Sequence, residues 1–318
     1  MYIGDTLARR AIYSPDRLAV VDAGKAPRPH YTYAQLNERA NRFANWLRDV
    51  AGITKGDRVG IVAFDGVEFL DAFFACGKLG AILACYNWRM HWRELAQVIA
   101  DTTPKLLIFS DEFRDKVEAL LPESPSVTHT LHIEGEGVAG SQRFEDALQS
   151  GDPAPVVDES ITEEDIVALI FTGGTTGLPK GAQISHRMIG WNTLNTVIHD
   201  ILPGDTTVNV FPMFHTGGLL VYTAPLMIVG GTVILVGLSS TLFQLAVWGS
   251  VWMVTRHTDS AIRRTAFGAG AAASLIASLL VLAATVSPAW AVTTYVLTAL
   301  VTIAVVALLT ARNRGAEG

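Results

Sequence analysis

Residues 165–185 read DIVALIFTGGTTGLPKGAQIS, and the rest of the chain is organised around them. Residues 165–172 open on one charge and continue as an apolar run of strand length, which reads as a buried strand. Gly173, Gly174 and Gly177 then leave backbone amides unobstructed by side chains, while Thr172, Thr175 and Thr176 add hydroxyl donors. Lys180 contributes a positive charge, and residues 181–185 form a candidate return strand. A strand entering a glycine-rich turn with a lysine at its exit makes an anion cradle, suited to the phosphates of a nucleoside triphosphate. The spacing differs from the kinase and GTPase loop GxxxxGK[ST], because Leu178 and Pro179 separate Gly177 from Lys180 and Gly181 follows. A ligand-free Gly/Thr-rich surface turn is the plain alternative. Glycines and hydroxyls this dense, between a buried strand and a capped helix, favour the cradle.

Upstream, helical and extended patterns alternate. Thr32 and Gln35 have capping-box spacing, and Leu36, Ala40, Phe43 and Leu47 recur at helical period, so a helix is expected from Tyr33. Strands are expected at 58–64, 82–85, 105–109 and 127–133, and helices at 67–80, 92–100 and 112–121. Residues 135–155, rich in Gly, Ser and Pro, read as a connector enclosing a short helix at 143–149. Ser185 is placed to cap a helix whose apolar positions are Met188, Trp191, Leu194, Ile198 and Ile201. Alternation of this kind predicts an α/β domain with a largely parallel sheet.

The run FTGGTTGLPKG at 171–181 closely resembles the signature loop of the AMP-forming adenylate synthetases, which include acyl-CoA synthetases, luciferases and peptide-synthetase adenylation domains. Gly173 stands where many members carry serine. FPMFHTGGL at 211–219 resembles a second segment of that family, and Asn87, Trp88 and Arg89 are similar to its acyl-CoA synthetases. The resemblance covers roughly residues 1–235. It implies the N-terminal part of the adenylate-forming synthetase fold, with layered, largely parallel sheets and helices. It further implies that a fatty or aromatic carboxylic acid attacks the α-phosphate of ATP to give an acyl-adenylate, and that coenzyme A then takes the acyl group. On the same basis Thr172, Gly173, Gly174, Thr175, Thr176 and Gly177 would wrap the β- and γ-phosphates, Lys180 would stabilise their charge, and His215 would stand beside the acyl pocket. Lys180 and His215 are thus the candidate catalytic residues.

Composition divides the chain. Its net charge is −6, yet no Asp, Glu, Lys or Arg occurs at 206–255 or again at 265–311. After Val236 the charged residues are five arginines, Asp259 and Glu317, so an acidic part precedes a basic, apolar one. The acidic balance argues against nucleic acid as a partner. Cys76 and Cys85 lie in apolar contexts without CxxC spacing, as core cysteines of a reducing compartment do. The opening MYIGD has neither a basic nor an apolar leader region, so the first domain is expected in the cytoplasm.

Residues 265–286 and 291–310 are each long and apolar enough to span a bilayer, with Trp290 between them and arginines at both outer ends. They predict a transmembrane hairpin at 265–310 with a cytoplasmic tail at 311–318. Residues 236–254 form an apolar junction, either interfacial or a third span. The expected location is therefore membrane-associated, with the lipid bilayer as a partner.

The family pattern is incomplete. By resemblance, a Tyr-Gly-x-Thr-Glu element holding Mg²⁺, a ribose-binding aspartate, a hinge and a second catalytic lysine should follow. After Glu164 the next glutamate is Glu317, after Asp205 the next aspartate is Asp259, and no lysine follows Lys180. No metal ligand is therefore assigned. Loss of one preorganised charge contact costs about 10²- to 10³-fold in rate, so negligible adenylation by this chain alone is expected. Three readings remain: an incomplete acid-CoA ligase, a membrane-tethered non-catalytic nucleotide-binding or interaction module, and a split enzyme with a complementing subunit.

Overall fold

The structure, a computed structural model, describes residues 3–172 and 179–236. These belong to the first of two compact units, Met1–Gly237 and Leu238–Gly318. The expected hairpin at 265–310, the tail, and the junction beyond Val236 lie outside the described residues. Among the described residues no helix is long and apolar enough to cross a membrane.

The chain opens with Ile3–Tyr13 (α1), Leu18–Asp22 (β1) and His30–Thr32 (β2), none of which the sequence patterns marked. Tyr33–Asp49 (α2) starts where its capping box requires. The Thr32 hydroxyl accepts from the Gln35 amide, and the Gln35 side chain accepts from the Thr32 amide. Leu36, Ala40, Phe43 and Leu47 are all fully buried, as the period demanded.

Arg58–Val62 (β3), Val67–Leu79 (α3), Ile82–Cys85 (β4), Trp92–Thr102 (α4), Leu106–Ser110 (β5), Arg114–Leu120 (α5) and His129–Ile133 (β6) continue the alternation. Several expectations shorten, among them the strand expected at 58–64, which ends at Val62. The helix expected at 112–121 is a 3₁₀ turn (Asp111–Phe113), then α5, then a second 3₁₀ turn (Leu121–Glu123) in which Pro122 has no amide to extend the helix. The strand expected from 127 begins at His129. The connector at 135–155 contains the short strand Gln142–Arg143 (β7) as well as its expected helix, Phe144–Ser150 (α6). Ile166–Thr172 (β8) and Lys180–Ser185 (β9) are the strand and return strand of the opening motif.

These strands form a seven-stranded sheet in the order β7-β6-β5-β3-β4-β8-β9, parallel throughout except for β8 with β9. Alternate residues of one strand enter different cores: Leu106 and Ile108 pack with α2, α3 and α6, whereas Leu107 and Phe109 pack with α4 and α5. Both faces are covered, which explains why the strands read as continuous apolar runs. Cys76 and Cys85 are free and buried, and burial pushes both thiols up.

Every residue of α3 is buried, so its polar groups need partners. Glu68 pairs with Lys25, and Asp71 receives the Arg39 guanidinium at 2.7 Å while Glu145 takes its other edge. Lys78 donates to Asn37 Oδ1 at 2.9 Å. At the helix start Gly66 brings no capping side chain, and the Asp22 carboxylate from β1 accepts the Val67 amide instead, at 3.1 Å.

The second half follows as His186–Val197 (α7), Thr206–Asn209 (β10), Thr216–Gly218 (α8), a π-helical turn at Leu219–Thr223, Ala224–Val229 (α9) and Thr232–Leu235 (β11). A second sheet has the order β10-β11-β1-β2, with β1 and β2 antiparallel and the other pairs parallel. Tyr33 ties α2 to it: its hydroxyl lies 2.6 Å from the Gly231 carbonyl oxygen, to which it donates.

Ser185 caps α7, accepting the Met188 amide at 3.3 Å. The face expected to be buried is nevertheless turned outward. Met188, Trp191, Leu194 and Ile198 are exposed, Ile201 is half-buried, and the inward face consists of His186, Ile189, Thr193 and Thr196. Thr193 and Thr196 are accommodated because their hydroxyls donate back to the carbonyls of Ile189 and Asn192.

Candidate functional site

In an open parallel sheet, ligands collect beyond the carboxyl ends of the strands. The segments after β3, β4, β5 and β8 all emerge at that edge. β8 and β9 are joined through residues 173–179, and Thr172 pairs with Lys180 to close the ladder below the turn. Thr172 and Lys180 are exposed. Gly173, Gly174, Thr175, Thr176 and Gly177 lie outside the described residues. Phe171 supports the ladder from below, its ring 5.4 Å from that of Tyr86 and against the bare Cα of Gly181, where a Cβ would come within 3.1 Å.

The environment of Lys180 suits an anionic ligand. Lys25, Lys55 and Lys105 are each neutralised by a carboxylate, whereas Lys180 enters no ion pair among the described residues. An ammonium without an ion pair among the described residues and a hydroxyl held only by a long bond of 3.4 Å to the Lys180 carbonyl oxygen, on either side of a glycine-rich stretch, fit a triphosphate. Among the described residues no group of three or more His, Cys, Asp or Glu side chains is placed to hold a metal ion. Asp165, next to β8 in sequence, sits at the far end of that strand, about 23 Å from Thr172 by strand rise. It is committed to Lys55 at 2.7 Å and to the Thr162 amide. Asp205 is likewise taken up locally, accepting the Leu202 amide.

His215 reaches the same edge from the other sheet. Asn209 ends β10, and its Oδ1 accepts the Phe211 amide at 3.2 Å. The Met213 amide then donates to Asp65 Oδ1 at 2.8 Å, which pins the segment to the loop after β3. Gly218 makes the turn possible, since a Cβ there would lie 2.3 Å from the Pro212 carbonyl oxygen. His215 is exposed, and its Nδ1 accepts the Gly217 amide at 3.0 Å. The ring is therefore the tautomer protonated on Nε2, with that nitrogen left as a donor. Thr172 and Lys180 are thus in direct contact, and His215 arrives at their edge of the sheet through its neighbours.

Those neighbours build an aromatic wall. Phe64, Trp88 and Phe113 meet with ring centroids 4.9 to 5.7 Å apart, and Phe214 stands edge-on to Trp88 at 6.1 Å. Arg89 lies over both Trp88 and Phe214. Sequence reasoning noticed Trp88 and Arg89 but missed Phe64, Asp65 and Phe113. The available signal was position: each follows directly on a strand whose carboxyl end forms this edge. Asp65 is buried, and burial pushes its carboxyl up to about 7, against the Met213 hydrogen bond and the Arg89 charge.

Comparison with known proteins places this geometry. Residues 7–257 match the family described as AMP-binding enzyme, a stretch that includes the apolar junction at 236–254. The chain is 34% identical over 234 residues to a feruloyl-CoA synthase of an Amycolatopsis species, covering 73% of this chain and 43% of the relative. It is 30% identical over 237 residues to an indoleacetate–CoA ligase of Aromatoleum aromaticum, covering 74% and 45%. The chain thus spans less than half the length of these curated relatives. Among solved structures, ATP-bound MatB from Rhodopseudomonas palustris superposes with a TM-score of 0.64 at 27% identity, covering 78% of this chain and 48% of that one.

Proposed function

This chain belongs to the AMP-binding enzyme family, and we propose that it is the phosphate-gripping part of an ATP-dependent, AMP-forming acid-CoA ligase acting on an aromatic or fatty acid. The observation that carries this reading is the Thr172–Lys180 pair, which closes β8 and β9 at the carboxyl edge of a parallel sheet with a lysine that no acidic side chain among the described residues neutralises. The relatives' printed activities, feruloyl-CoA and indoleacetate-CoA synthesis, support an aromatic acid and coenzyme A as the co-substrates.

The division of labour follows from the geometry. Thr172 and Lys180 bind the triphosphate by hydroxyl and charge, together with the glycine amides between them. Burial of the acid's ring or chain falls to the aromatic wall of Phe64, Trp88, Phe113 and Phe214. His215 offers its Nε2–H at the same edge. Bound ATP supplies the adenylyl group, and its Mg²⁺ would travel with the phosphates.

Within residues 1–318, nucleotide binding is retained and adenylation is slow. Of the described carboxylates downstream of the loop, Asp200 is exposed and Asp205 accepts the Leu202 amide, and among the described residues no carboxylate cluster is placed to hold a metal ion, so developing phosphate charge goes largely uncompensated.

Two measurements on the full chain test this. Isothermal titration with ATP should show at least tenfold weaker binding for Lys180→Ala, and equal affinity of variant and wild type would remove the phosphate assignment. ATP–pyrophosphate exchange with ferulate, indoleacetate and decanoate should stay at the level of Lys180→Ala. Exchange well above that level would show that the 318 residues suffice for chemistry.

A further inference from the structure

We infer that Asp65 is a positioning residue for the acid-binding side of the site: its carboxyl, buried at the carboxyl end of β3, holds the Met213 amide and so sets where Phe214 and His215 stand. The inference rests on the proposed acid-CoA ligase reading and extends it to a group that no motif marks.

The contact is long-range, spanning 148 residues, and joins the two sheets at the edge where the site lies. Met213 is fully buried and Phe214 nearly so, so the segment is clamped from within. The next two residues are the ones that the ligase reading sets beside the acid. Phe214 meets Trp88 and Arg89, and His215 starts the turn that needs Gly218. A shift at Met213 is therefore passed directly to both.

The other oxygen, Asp65 Oδ2, is buried without a partner among the described residues. An unpaired buried charge costs far more than an unpaired neutral oxygen. The neutral carboxyl removes the unpaired charge, though not the unpaired polar atom, while Oδ1 continues to accept from Met213. The charged groups acting on Asp65 are Asp22 of β1, which disfavours ionisation, and Arg89 beyond β4, which favours it. Asp22 is itself flanked by Lys25 and Glu68. Ionisation of Asp65 strengthens the bond to Met213 but leaves charge on Oδ2, so the geometry of the segment depends on pH near neutrality.

The experiment uses the full chain labelled with ¹⁵N-methionine, with Asp65→Ala, which loses the acceptor, and Asp65→Asn, which keeps it. Expected for Asp65→Ala are loss of hydrogen-exchange protection at the Met213 amide and at least tenfold weaker binding of ferulate or decanoate, with ATP affinity unchanged within twofold. Asp65→Asn should retain protection and acid affinity within threefold. The Met213 amide shift should titrate near neutral pH in the wild type and not in Asp65→Asn. Unchanged Met213 protection in Asp65→Ala overturns the inference, as does acid binding equal to wild type. If the wild-type chain binds no acid, the ligase reading fails by itself, and the Met213 amide alone decides whether Asp65 positions the segment.

Discussion

Thr172 faces Lys180 across the last pair of β8 and β9, and its hydroxyl donates to the Lys180 carbonyl oxygen at 3.4 Å. That distance makes a weak bond, so the hydroxyl is easily redirected to a phosphate oxygen. Thr172→Val keeps strand propensity and removes the donor, and should weaken ATP binding about fivefold, from a hydrogen bond worth about 1 kcal/mol. Titration calorimetry reads the change, and thermal stability should not move.

Gly217 and Gly218 are adjacent, yet they differ in what a side chain would meet. At Gly218 a Cβ would lie 2.3 Å from one backbone oxygen and 2.4 Å from another, whereas at Gly217 the nearest atom is His215 Nδ1 at 3.3 Å. Gly218→Ala should cost about 1–3 kcal/mol, the usual range for overpacking, and displace the His215 segment. Gly217→Ala should cost under about 1 kcal/mol. Chemical denaturation of the two variants separates them, and equal losses would contradict the close approach described at Gly218.

Lys78 is 2% exposed, and burial pulls its ammonium down to about 8, with Asp5 opposing. Between about pH 8 and the unfolded value near 10.5, the unfolded chain binds more protons than the folded one. Stability therefore rises with pH across that window, and below it the full cost of a buried charge is carried. Lys78→Met should raise stability at pH 7 by about 1–3 kcal/mol and flatten the alkaline slope. Thermal unfolding from pH 7 to 10.5 checks both, and an unchanged slope in the variant would exclude Lys78 as its source.

On α7 the apolar stripe is outside and the threonines are inside. Leu194→Gln, at a side chain 59% exposed, should change stability by less than about 0.5 kcal/mol. Ile189→Ala, at a side chain 2% exposed, should cost about 2–5 kcal/mol. A large loss at Leu194 in denaturant unfolding of the full chain would show that its face is covered.

Local chemistry was legible where one short segment carries the whole signal. The capping box at Thr32 marks the first residue of α2 because its two hydrogen bonds close within four residues. The strands β3, β4, β5 and β8 were legible because a sheet covered on both faces requires unbroken apolar runs. By contrast the patterns around β1, β2, β10 and β11 do not distinguish strand from loop. The pairing that joins β1–β2 to β10–β11 is decided by partners about 200 residues apart in sequence, Val20 beside Val233. The face of α7 was misread for a related reason. Periodicity reports which residues are apolar, but burial depends on which neighbour arrives, and Thr193 and Thr196 pack inward by satisfying their hydroxyls within the helix.

The candidate site divides in the same way. The sequence by itself carries the proposal of phosphate binding, because the glycines, threonines and Lys180 on which it rests lie within residues 172–180. It also determined the family, through that stretch and the segment around His215. Only the tertiary structure decided that Asp65 lies beneath that segment and that Phe64, Trp88, Phe113 and Phe214 converge into one wall. Those contacts join strand ends from two sheets, and closing a loop of such length leaves no local pattern in the chain: the energy that holds Met213 on Asp65 comes from burial at an edge that exists only once both sheets have formed.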